Sequence, residues 1–172
     1  RIVFTVANEE KTKKLIQAQK RHMHIGVPGH GIVIAVPIKS VGGGKTVAFL
    51  NGETDNAAYT PSLNYAHELI VAVCSQGCTD MVMNAARAAG ARGGTVLHGK
   101  GTGANGAPKF YNITIAHEKE MILIVAAASQ KTAIMQSILK KAGPDSKAVT
   151  IVFSLPTTQV AGFALLDNQD ET

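Results

Sequence analysis

Glycines set in the right places can do chemistry without a reactive side chain, and this chain concentrates them. Residues 85–103 read AARAAGARGGTVLHGKGTG. Alanine and arginine favour a helix, and Gly90, Gly93 and Gly94 end it, because glycine accepts backbone angles with φ > 0. A short apolar strand starting at Thr95 follows, and then Gly101 and Gly103 leave main chain bare of side chains. Such a main chain can approach a phosphate or another chain closely, and its N–H groups can cradle an anion. Two further stretches offer similar turns: Gly26-Val27-Pro28-Gly29-His30-Gly31 and Gly143-Pro144-Asp145-Ser146-Lys147.

Other constellations carry less. Gly42-Gly43-Gly44-Lys45-Thr46 has the tail of a P-loop, but the required glycine five positions before Gly44 is Lys39, so the stretch reads as a flexible linker. His22, His24 and His30 could bind zinc or copper, although no Cys, Asp or Glu lies among them; a polar helix end with imidazolium at its C-terminus is the plainer reading. Cys74 and Cys78, four apart, read as reduced, partly buried thiols. No Ser-His-Asp order and no paired carboxylates emerge, so the sequence shows no catalytic machinery.

Composition narrows the classes. The chain has 172 residues, 45% hydrophobic, with no Trp, so an aliphatic core must hold it together. Charged residues are only 17%, which points to apolar surface covered by partner subunits, hence a homo-oligomer. The net charge of +5 lacks the interleaved aromatics of a nucleic-acid binder and suits small anionic ligands. Two cysteines make no disulfide framework, which implies a reducing, cytoplasmic setting. No apolar run reaches the length of a membrane span.

The elements that position these residues repeat. Residues 2–43 and 122–162 each run as apolar strand, amphipathic helix, Gly/Pro loop, apolar strand and proline; Lys11-Thr12 aligns with Lys131-Thr132, and Pro37 with Pro156. The period of Leu15, Ile16 and Gln19, and of Ile134, Met135, Ile138 and Leu139, predicts helices. Residues 32–36 and 150–155 read as buried strands that the prolines end. Between the copies, residues 69–73 form a strand, Thr79 or Asp80 caps a helix running to Ala89, and a strand opens at Thr95. From residue 69 to 162 the order is therefore β-α-β, loop, β-α-β, the ferredoxin-like split βαβ of an α+β protein. The expected organisation is the C-terminal β-α-β half of a first domain (1–43), a linker (44–66), a complete domain (67–166) and a tail (167–172). A first half would then precede Arg1.

The segment 85–103, with the strands around it, resembles the PII signal-transduction (nitrogen regulatory) family, and tandem PII-like proteins in particular. The resemblance implies a non-catalytic, trimer-like regulator. A small anionic effector, an adenine nucleotide such as ATP, ADP or AMP, would sit in an inter-domain cleft, and a loop would control a partner transporter or enzyme. Carried onto this sequence, Gly94, Thr95, Gly101 and Gly103 would hold the nucleotide from one side. Lys147, or Gly29 and Gly31, would hold it from the other. The signalling loop would run from about Gly101 to Lys119, with Phe110 and Tyr111 as its anchors. The family's second phosphate turn is only partly kept, since its second glycine is Ser146 here and His30 stands where the earlier copy would have lysine. A metal-binding trimer of the same fold, using His22, His24 and His30, is the alternative.

Overall fold

The computed structural model describes residues 2–25, 27, 30–38, 63–101, 109–110, 113–114 and 117–162. The chain forms two compact units, Arg1–Asn64 with Thr157–Thr172, and Tyr65–Pro156. No helix among the described residues is long and apolar enough to cross a membrane.

The larger unit is an α+β fold of the ferredoxin type. Its strands are β2 (Asn64–Ser75), β3 (Thr95–Gly101), β6 (His117–Ala127) and β7 (Ile151–Thr157), and its helices are α2 (Thr79–Ala88) and α3 (Ala128–Ala142). The sheet order is β3-β6-β2-β7, so the two strands of each β-α-β half are separated in space, as the split motif requires. Strand β6 pairs antiparallel with both β2 and β3, placing Cys74, Glu120 and His98 in one row, and Ala72, Ile122 and Val96 in the next row on the same face, two residues along.

Alternation decides which side chains enter the core. Ile70, Ala72, Ile122 and Ile124 share the face that meets the helices, and all four are fully buried. Val82, Ala85 and Ala86 of α2 and Ile134 and Ile138 of α3 close the same core. The two helices pack on each other, tied by the Ser137 hydroxyl donating to the Ala85 carbonyl at 2.7 Å. Small residues in α2 allow this close approach.

Glycine-rich residues 90–94 turn the chain from α2 into β3. Gly90 takes φ +102 just past the helix, and the Ala91 N–H returns to the Ala86 carbonyl at 3.1 Å. Space at Gly94 is tight: a Cβ there would meet Met83 Sδ at 3.0 Å, Ile122 Cγ2 at 3.1 Å and Ile124 Cγ1 at 3.2 Å.

The other unit holds α1 (Glu9–Met23) and strands β1 (Val33–Ala35) and β8 (Gln159–Ala161), which pair antiparallel. Asn8 caps α1, its Oδ1 accepting from the Lys11 N–H at 2.9 Å; Glu9 and Glu10 lie in the first turn, and Lys20, Arg21 and His22 in the last. The core is small: Ile16, Ile25 and Ala161, with Val33 and Ala35 against them.

Several expectations change. The apolar run at residues 2–8 is not a strand, and Val3 and Phe4 are exposed. An extended segment becomes a strand only when a neighbouring strand accepts from its N–H groups and donates to its C=O groups, and no described strand runs beside residues 2–8. Strand β7 runs through Pro156 to Thr157 rather than ending before it; as an edge strand it can carry a residue that donates no hydrogen bond. The span expected as loop, 101–119, is partly ladder. Gly101 faces His117 across β3 and β6, and β4 (Lys109–Phe110) pairs with β5 (Ile113–Thr114).

Candidate functional site

Of the residues expected to hold an effector, the larger unit positions Gly94, Thr95, Gly101 and Lys147. Thr95 opens β3 with its side chain exposed, opposite Leu123 of β6. Gly101 closes the same strand. Gly94, just before β3, is exposed, while the position of its missing Cβ faces Met83, Ile122 and Ile124.

Lys147 is exposed on a tight turn after α3. There the Ser146 N–H donates to the Gly143 carbonyl at 3.0 Å, as does the Ser146 hydroxyl at 2.8 Å. The same hydroxyl oxygen accepts from the Ala148 N–H at 3.1 Å. Ser146 thus builds the turn by local side-chain bonding, a different device from a second glycine. The Ser75 N–H donates to the Ala148 carbonyl at 2.9 Å and fixes the turn to the end of β2.

In the smaller unit, Gly31 has φ +104, and its carbonyl lies against the position where Gly162 would carry a Cβ. Gly162 is thus required for the chain to pass itself next to the β1–β8 pair, and Gly31 for its left-handed φ. Gly29, Gly103 and Tyr111 lie outside the described residues, as does the Phe110 side chain.

The histidine alternative gains no shell. His24 and His30 meet edge to face at 6.2 Å between ring centroids. His30 Nδ1 lies 3.3 Å from the Met23 carbonyl oxygen, placing that ring at the C-terminal end of α1. His22 belongs to the last helical turn, while His24 has left the helix with φ +52, so their side chains diverge. Among the described residues no three His, Cys, Asp or Glu side chains gather as a cation site.

The most developed polar cluster was not singled out in the sequence. Glu120 is buried in β6, and its Oε2 accepts from the Thr79 N–H at 3.1 Å and the Thr79 hydroxyl at 2.6 Å. The expected cap by Thr79 or Asp80 is therefore replaced. Cys78 occupies the N-cap without a capping side-chain bond, and a carboxylate from a distant strand satisfies the helix end. The Thr79 hydroxyl, the Gly77 N–H and the Thr79 N–H hold the Glu120 carboxyl below the usual carboxylate range, against the opposing effect of burial. His98 Nε2 stands 3.6 Å from Glu120 Oε1, and one rung further out Lys100 Nζ stands 3.8 Å from Glu118 Oε1. Period-two alternation was the available signal, since it sets Glu120 in phase with buried Ile122 and Ile124.

Neighbouring Cys74 is fully buried in the same row, and burial, then the Glu120 charge, push its thiol up to about 11. That leaves it protonated and inert at neutral pH. Cys78 is also buried and unbridged.

The comparisons with known proteins now decide the family. Residues 67–163, more than half of the chain, match the model of the nitrogen regulatory protein P-II family. The chain belongs to that family. No curated protein matches it. Among solved structures, the crystal structure of Arabidopsis thaliana PII bound to citrate is similar at 21% identity, over 53% of this chain and 77% of that one, with a TM-score of 0.43. The P-II region takes in every strand of the larger unit's sheet, both its helices and the Gly143–Lys147 turn.

Proposed function

We propose that this P-II family protein is a non-catalytic regulator whose effector is a small anion, specifically an adenine nucleotide. The observation that carries the reading is the family match across the whole β-α-β, loop, β-α-β unit, with Thr95 and Gly101 at the two ends of the same strand. Thr95 presents a hydroxyl that can bond an adenine edge, and Gly101 leads into Gly103 with bare main chain for phosphates. Lys147 adds a cation on the turn after α3. Gly29 and Gly31 are the counterparts of that turn in the N-terminal repeat.

Binding would order the chain between β3 and β6, and that segment, with Phe110 and Tyr111, would engage or release a partner transporter or enzyme. A trimer-like homo-oligomer in the cytoplasm completes the proposal, as does the reading of residues 1–43 as half of a first PII-like domain.

Thermal melts with ATP, ADP and AMP test it. Ligand that binds only the folded state at one hundred times its Kd stabilises by about 2.7 kcal/mol, which is readily seen as a shift in Tm. Thr95→Ala and Lys147→Ala are expected to reduce the shift without altering the unliganded Tm. Absence of any shift with all three nucleotides at millimolar concentration would reject the effector assignment.

A further inference from the structure

The P-II fold explains the sheet and helices, but not why a carboxylate is buried where α2 begins. Glu120 lies in phase with Ile122 and Ile124, on the face of the sheet that carries the core. Burying an ionised carboxylate is costly unless hydrogen bonds replace its water. Here they do, and they come from one place, the Gly77–Thr79 start of α2. The charge also faces the unpaired N–H groups of the helix end, where an anion is stabilised.

Glu120 therefore touches two elements at once. Through Oε2 it holds α2, and through Oε1 it faces His98 on β3. Strands β3 and β6 are the two arms between which residues 102–116 run. Cys74 of β2 lies in the same row as Glu120, and Asp80 follows Thr79 in the first turn of α2; Lys119, beside Glu120 in β6, turns instead to the Ser75 hydroxyl at 3.3 Å.

We infer that Glu120 is a proton-sensitive clasp, joining the start of α2 to the root of the β3–β6 ribbon so that the two open together when its carboxylate is neutralised. A protonated carboxyl loses the charge that the helix end and His98 both face, and its charge-assisted bonds from the Thr79 N–H and hydroxyl weaken to neutral ones. The sign follows from the depressed folded-state pKa. The stabilisation is complete above the unfolded-state value, near 4.5, and is lost as pH falls through the lower folded-state value. The inference does not depend on any nucleotide.

Amide exchange by NMR between pH 3 and pH 8, expressed as protection factors, tests it on the full chain. In the wild-type protein, the first-turn amides of α2 and the β3–β6 ladder amides are expected to lose protection with one shared acid midpoint below 4.5, while the middle of α3 keeps its protection. Glu120→Gln is expected to lower protection at both places by about tenfold at pH 7, the usual worth of a helix cap, and to abolish the acid step. Glu118→Gln, on the exposed rung, is expected to leave that step in place. Different midpoints for α2 and the ladder in the wild type would overturn the inference, even if Glu120→Gln did not fold. So would a Glu120→Gln variant that loosens α2 alone, or an acid step that disappears in Glu118→Gln.

Discussion

The two repeats start from similar sequence and end with different structure. In the C-terminal copy, the strand before the helix becomes β6 and gains neighbours on both sides. Its helix α3 buries Ile134 and Ile138 completely. In the N-terminal copy, residues 2–8 join no strand among the described residues, and α1 buries only Ile16. The local signals of α1 are nevertheless the better ones. Asn8 caps it from within, and Lys13–Glu9 and Lys14–Glu10 pair at 2.6 Å one turn apart. Helix α2 has no local cap and borrows Glu120 from 41 residues away. Strong local signals thus accompany a thin core, and weak ones a thick core. Most helical stability in a folded protein comes from the packed face, and the pair of units shows that division of labour.

That contrast is broken most sharply in the core. Ile124→Ala is expected to cost about 2–5 kcal/mol by opening a cavity among well-packed neighbours. Ile16→Ala, in the thinner core of Ile25, Ala161, Val33 and Ala35, is expected to cost about 1–2 kcal/mol, below that range because less packing is lost. Denaturant titration, with exchange of the α1 amides to localise the second effect, measures both; equal losses would erase the distinction.

Gly94→Ala comes next, expected to cost about 1–3 kcal/mol because the added methyl overpacks the core from the β3 side. Urea midpoints decide it, and a stabilised variant would show that Met83, Ile122 and Ile124 can yield. Gly90→Ala, placing a Cβ at φ +102, is expected to cost about 1–2 kcal/mol. Circular dichroism melts read that change.

The smallest expected effect sharpens the comparison of caps. Asn8→Ala should cost about 1 kcal/mol of α1 stability and should also lower the helicity of an isolated peptide spanning residues 2–24, because the cap is local. A peptide spanning residues 76–90 should be insensitive to Thr79→Ser, since its capping carboxylate is absent from the peptide.

Much of the larger unit was legible because its signals are local or periodic. Apolar runs marked β2 and β6, the apolar spacing of Ile134 and Ile138 marked α3, and the Gly90–Gly94 cluster marked the exit from α2. The fold followed from their order. What depended on distant partners was not legible. The apolar run at residues 2–8 carries the composition of a strand, but no composition supplies a neighbour. The β1–β8 pairing joins residues more than a hundred positions apart, and the approach of Gly162 to Gly31 has no signature beyond two glycines. Among the candidate site residues, Gly94, Thr95 and Lys147 are exposed and Gly101 is half-buried, and the close neighbours of Gly94's missing Cβ were beyond what the sequence alone could show. The Glu120 cluster was written in the alternation of β6 and was passed over, because a lone acid in a strand attracts less notice than a glycine-rich turn.

The tight space at Gly94 also ties together positions far apart in the chain. A methyl group there would press on Met83 in a helix and on Ile122 and Ile124 in a strand, and each would have to give by a few tenths of an ångström. A side chain at position 94 is therefore best accepted in a background where one of those three neighbours is already smaller, so that helix and strand drift in step, joined by volume.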